Sequence, residues 1–196
     1  MKTLTERVEL LYQDLHSTVH AQRILNKTRI NLLDVNRSEY VDRFPICRKY
    51  GFVVPTSDLV EFIDEWGPIV EVGAGTGNLS SFLRDSKPTD PQDGEYGFIH
   101  PEHVEKMSAI EAAAKYRDRT ILCAWPSYDE PWAYELLKSL TAGRLLIYIG
   151  ESHGGCTADE NFHNHLDEHC EKIDDMAIAN WPSIHDYLTL YKVNVK

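Results

Sequence analysis

This 196-residue chain contains little that suits a bilayer, a disulfide scaffold or a polyanion. No apolar run approaches the roughly 20 residues that a membrane-spanning helix needs, so no membrane segment is expected. Cysteine is sparse: the four present, Cys47, Cys123, Cys156 and Cys170, form no CxxC pair, and Cys123 sits inside an apolar run. Reduced thiols in a cytosol are the simplest reading. Residues 1–6 lack the apolar core of a secretory signal, which agrees with a cytoplasmic protein. Basic residues are outnumbered, 20 against 31 acidic, for a net charge of −11. A chain that grips a phosphate backbone carries a basic face. Here the only local basic cluster is Arg43, Arg48 and Lys49, so nucleic acid is disfavoured as a partner. Gly-x-Ser-x-Gly and the phosphate-loop lysine motif are both absent, which removes the common hydrolase and NTPase classes. His163, His165 and His169 lie near Cys156 and Cys170, but Glu168 adjoins His169 and no second ligand pair has recognised spacing. They read as helix-surface histidines, and no metal is expected.

The content that remains, 42% hydrophobic and 26% charged, is that of an ordinary globular chain long enough for one core. Residues 3 to about 33 read as helix. Thr3 and Glu6 form a capping box, and Leu4, Val8, Leu11, Leu15 and Val19 recur at helical spacing. A turn-rich stretch over 34–55 carries Tyr40, Phe44, Tyr50 and Phe52; Tyr50, Phe52 and Trp66 read as core aromatics. This divides the chain into an N-terminal helical extension, 1–55, and a main domain, 56–196.

Within the main domain helices and strands alternate. The expected order is helix 57–66, strand 69–72, helix 78–84, a polar stretch 85–97 in which any strand must be very short, and helix 101–116. Strand 120–124, a helix from about 131 to 140, strand 144–149 and helix 158–170 follow. Val104, Met107, Ile110 and Ala114 are expected on one face of the 101–116 helix, and Asp129 caps the next one. Two final strands, 176–181 and 187–195, flank a Pro182-Ser183 turn. Alternation of this kind implies an α/β sheet with helices on both faces. Ligands bind such sheets outside the carboxyl ends of the strands. Three unusual segments fall at such ends: 73–77, 125–128 and 150–156.

The first of these carries the clearest signal. A β-branched run ends in Glu71, and Gly73, Gly75 and Gly77 then alternate through a turn. Such a turn brings backbone N–H groups up to a nucleotide-like ligand. The dinucleotide fingerprint G-x-G-x-x-G/A fails at Asn78, which leaves a nicotinamide-dependent oxidoreductase disfavoured.

The form E-x-G-x-G-x-G resembles motif I of the class I methyltransferases that use S-adenosylmethionine (SAM). With Tyr50-Gly-Phe-Val-Val-Pro55, the segment from Ile121 through Trp125-Pro-Ser-Tyr128, and Ile147-Tyr-Ile-Gly-Glu-Ser-His-Gly-Gly-Cys156, it looks like a little-characterised methyltransferase-like group. The resemblance implies a Rossmann-like sheet closed by an antiparallel C-terminal strand, with SAM as cofactor. It implies that Gly73, Ala74, Gly75 and Gly77 approach the amino-acid part of SAM and that Glu71 holds its ammonium group. An acid after the second strand would bind the ribose diol; Asp90 is the candidate, with Asp85 and Asp93 as competitors. Trp125-Pro-Ser-Tyr128 stands where amino-group methyltransferases carry Asn/Asp/Ser-Pro-Pro-Tyr/Phe, and Trp125 supplies a donor where that motif needs an acceptor. Tyr128 could stack on the methyl acceptor, and Glu151 and His153 are candidate bases. The expected function is methyl transfer to an unidentified small-molecule or protein acceptor, with a non-catalytic SAM-binding protein as the alternative. The oligomeric state stays open.

Overall fold

The computed structural model describes residues 44–93, 98, 100–181 and 184–194. The helix expected over 3–33, Tyr40 and the Pro182-Ser183 turn lie outside the described residues.

The chain enters through α1 (Phe44–Tyr50) and α2 (Ser57–Glu65) and then lays down β1 (Ile69–Val72). After the glycine turn come β2 (Ser86–Asp90), β3 (Glu105–Lys106), α3 (Ala109–Lys115) and β4 (Thr120–Ala124). The fold finishes with α4 (Trp132–Ser139), β5 (Leu145–Gly150), α5 (Glu160–His169), β6 (Cys170–Ala177) and β7 (Tyr187–Val193). The seven strands among the described residues join one sheet in the order β3-β2-β1-β4-β5-β7-β6. Strands β1 to β5 pair in parallel, whereas β7 runs antiparallel to both β5 and β6. This is the Rossmann-like sheet of the class I methyltransferase fold.

The period-2 pattern of the strands builds two cores. Val70, Val72, Ile121, Cys123, Leu146 and Tyr148 point to one face, where they meet α3, α4 and α5 through residues such as Ala112, Leu136 and Phe162. Ile69, Leu122, Ile147, Ile149, Leu188 and Leu190 point to the other, under Leu59 and Ile63 of α2.

Several expected elements differ. The helix over 78–84 is only a single 3-10 turn, Ser80–Phe82. Serine hydroxyls compete with the helical backbone here: Ser81 Oγ donates to the Asn78 carbonyl at 2.6 Å, and Leu83 is already extended. The helix over 101–116 is confined to α3, where Ser108 and Glu111 form a reciprocal capping box. Val104 is buried ahead of that helix, Ile110 is exposed, and Ala109, Ala112 and Ala113 make the packed face. Asp129 does not cap α4; it has φ 58° and Pro131 takes the N-cap position. A full five-residue β2 accommodates Pro88 because β3 pairs only with Thr89 and Asp90, leaving Pro88 on an edge. β6 begins at Cys170, well before the expected 176, directly from the end of α5.

Candidate active-site cavity

A cavity of about 550 Å³ opens at the carboxyl ends of β1, β2 and β4. Its floor is the glycine turn. Gly73, Gly75 and Gly77 have φ of 63°, 54° and 67°, a region in which a side chain strains the backbone. The turn is tied to the end of β2: Ala74 N–H donates to the Thr89 carbonyl at 3.0 Å, and Gly75 N–H donates to Asp90 Oδ2 at 2.8 Å. Gly73, Ala74 and Gly75 line the cavity. Gly77 does not; a Cβ there would lie 2.6 Å from Val104 Cγ2, so its role is close packing against the 101–104 loop. At Gly75 a Cβ would press on the Phe98 ring at 3.2 Å.

Glu71 and Asp90 both reach the cavity wall and are both buried. Burial pushes the Glu71 carboxyl up to about 7, even though Ser80 N–H donates to its Oε2 at 3.2 Å. Asp90 also accepts Gln92 N–H at 2.7 Å through Oδ1. His100 donates Nδ1–H to the Gly75 carbonyl at 2.8 Å and stands 3.8 Å from Asp90 Oδ1. Of the competing acids, Asp93 lines the cavity, whereas Asp85 precedes β2 at the opposite end of the sheet and pairs with Arg119 at 2.7 Å.

Trp125 and Tyr128 line the cavity together. Trp125 leaves β4 with φ 53°, unusual for so large a residue. Its ring stacks on Phe52, centroids 4.8 Å apart at 10°, and its indole N–H donates to buried Asp186 at 2.6 Å. The Pro126 carbonyl accepts Ala158 N–H at 3.1 Å. Both groups at this strand exit that could have faced an incoming amine are thus engaged within the protein. Tyr128 remains 64% exposed at the cavity mouth.

Glu151 and His153 do not line the cavity. The Glu151 carboxylate closes its own loop, accepting Cys156 N–H and His185 N–H, each at 2.8 Å. Burial opposes its ionisation, but these donors outweigh it and hold its pKa below the usual value. His153 is a surface residue paired with Asp167 at 3.0 Å. His163, read as a surface histidine, is buried, with Nε2–H donating to the Thr157 carbonyl at 3.0 Å.

The structure adds residues that sequence reasoning did not place in a site. Phe52, read as core, lines the cavity, and so do Phe98, His100 and Trp132. Asn78, also on the wall, is nine-tenths buried, and its side-chain nitrogen has no hydrogen-bond partner among the described residues. Its signal was the polar residue directly after the third glycine; the aromatics come from segments remote in sequence and had none.

No protein-family model and no curated protein sequence matches the chain. Solved structures similar to it include a magnesium protoporphyrin IX methyltransferase from Synechocystis PCC 6803 with bound SAM, at 12% identity over 70% of this chain and 77% of that one, TM-score 0.44. An rRNA methylase from Streptococcus thermophilus is 14% identical over 72% and 97% of the two chains, TM-score 0.40. The N-methyltransferase NodS from Bradyrhizobium japonicum WM9 is 11% identical over 64% and 85%, TM-score 0.38. Sheet order, the lone antiparallel β7 and a cavity over the glycine turn give this chain a class I methyltransferase fold.

Proposed function

We propose that the protein binds SAM in this cavity and transfers its methyl group to an acceptor that enters past Tyr128. The observation that carries the reading is the convergence of the glycine turn, Glu71 and Asp90 on one cavity wall at the strand ends. The donor set fits the cofactor. SAM is a cation with an ammonium and a diol, and the wall offers two buried carboxylates and the Asn78 side-chain nitrogen, which has no partner among the described residues. Glu71, Gly73, Ala74, Gly75, Asn78 and Asp90 would hold it, and bound SAM supplies an activated methyl group. The chain's own contribution is to orient the acceptor and exclude water, with Trp125 and Phe52 forming an apolar wall. Glu151 and His153 do not line the cavity, so an acceptor that needs deprotonation would give its proton to a group that does, such as His100, Asp93 or Glu130.

Calorimetry with SAM, S-adenosylhomocysteine (SAH) and NAD tests the reading. Heat with the first two and none with NAD is expected; no heat with either SAM compound would sink it. One observation favours a second reading, SAM binding without transfer: Trp125 commits its indole N–H to Asp186 where the amino-group enzymes need an acceptor. Radiolabelled SAM incubated with cell extract separates the two, since only a transferase leaves label on an acceptor.

A further inference from the structure

Two features of the cavity bear on what enters it besides the cofactor. Among the described residues its lining includes four carboxylates, Glu71, Asp90, Asp93 and Glu130, and no lysine or arginine. Glu71 and Asp90 belong to the glycine-turn side, whereas Asp93 and Glu130 are exposed at the rim. The second feature is aromatic. Phe52 and Trp125 stack, Phe98 meets Phe52 edge-on at 6.0 Å, and Tyr128 is left largely uncovered at the mouth. Because Asp186 holds the Trp125 N–H, the indole contributes apolar ring to the cavity and no hydrogen-bond donor. The buried Asn78 side-chain nitrogen, without a partner among the described residues, lines the same cavity on the glycine-turn side.

Resting on the methyltransferase reading, we infer that the acceptor compartment selects a planar small molecule carrying a positive charge. Aromatic faces attract cations and stack on planar rings. A cavity walled by one sign of charge focuses its field and concentrates ligands of the opposite sign. Phosphorylated and carboxylate acceptors meet the like charge of the exposed Asp93 and Glu130 at the rim. SAH suits the test because it lacks the sulfonium charge, leaving the rim acids to act on the second ligand alone.

The test is calorimetry on the full-length protein saturated with SAH, titrated with tryptamine and with indole-3-acetate, which share a ring and differ in charge. Tryptamine should bind at least tenfold more tightly. Glu130→Gln should narrow that gap, and Tyr128→Ala should weaken tryptamine about threefold, the scale of an exposed cation–π contact. Both residues are exposed, so neither change threatens the fold. Equal binding, preference for the acid, or no binding of either probe overturns the inference. Failure of SAH itself to bind would instead overturn the methyltransferase reading.

Discussion

Asp90 shows how much one side chain does at the cavity. Its two oxygens accept Gly75 N–H and Gln92 N–H at 2.8 and 2.7 Å, so the carboxylate shapes the glycine turn as well as facing the cavity. Asp90→Ala leaves two backbone donors unpaired, which costs about 1–3 kcal/mol of stability on the scale of unsatisfied buried groups. It should also weaken SAH at least tenfold. Asp85→Ala should leave SAH affinity unchanged, because that side chain pairs with Arg119 at the opposite end of the sheet from the cavity. Paired calorimetry and thermal melts of the two variants check this. If Asp85→Ala weakens SAH instead, the ribose site lies elsewhere.

At the scale of elements, the loops that follow the strands behave as tied units. Gly77→Ala would place a Cβ 2.6 Å from Val104 Cγ2 at φ 67°, so the 101–104 loop must shift. Overpacking and left-handed strain together cost about 2–4 kcal/mol, a melting temperature lower by several degrees with m-values unchanged. Glu151→Gln should loosen the 151–156 loop, measurable as faster amide exchange at Cys156, while SAH affinity holds. The same elements mark what the sequence could tell. β1 and β4 were legible to the residue because an apolar run bounded by Gly67-Pro68 or Gly73, or by Arg119 and Trp125, allows no other register. The 3-10 turn was misread as helix because Leu79, Phe82 and Leu83 carry helical spacing, while the Ser81–Asn78 bond that ends it is invisible to periodicity. Ser108 and Glu111 offered a readable capping box, obscured by the earlier Pro101 start. Glu71, Asp90 and Trp125 were singled out through the resemblance to class I methyltransferases, and the structure brings all three to the lining of one cavity. Phe52 and Asp186 were not, since Trp125 contacts them across the sheet from 73 and 61 residues away.

For the whole molecule, Glu71 links the cavity to pH. Its folded pKa, about 7, is raised above the ordinary 4.5 by burial. The native state therefore holds a proton that the unfolded chain releases between those values, and stability conferred by the neutral form falls as pH rises through that window. At about 1.36 kcal/mol per pKa unit the loss is at most about 3.4 kcal/mol, complete above pH 7. Glu151 works in the opposite sense and outside this range: its depressed pKa gives stability present above 4.5 and lost in acid. A cationic ligand beside Glu71 favours the carboxylate, so binding should release a proton near neutrality and grow stronger as the group ionises. The rise in melting temperature that SAH produces should be larger at about pH 8 than at about pH 5.5, while the ligand-free protein melts lower at the higher pH. Glu71→Gln separates this effect from that of every other group because it removes only this carboxyl. In that variant both trends should flatten, with SAH weakened most at high pH. A pH dependence that persists undiminished in Glu71→Gln would assign it to another group and detach Glu71 from the ligand's ammonium.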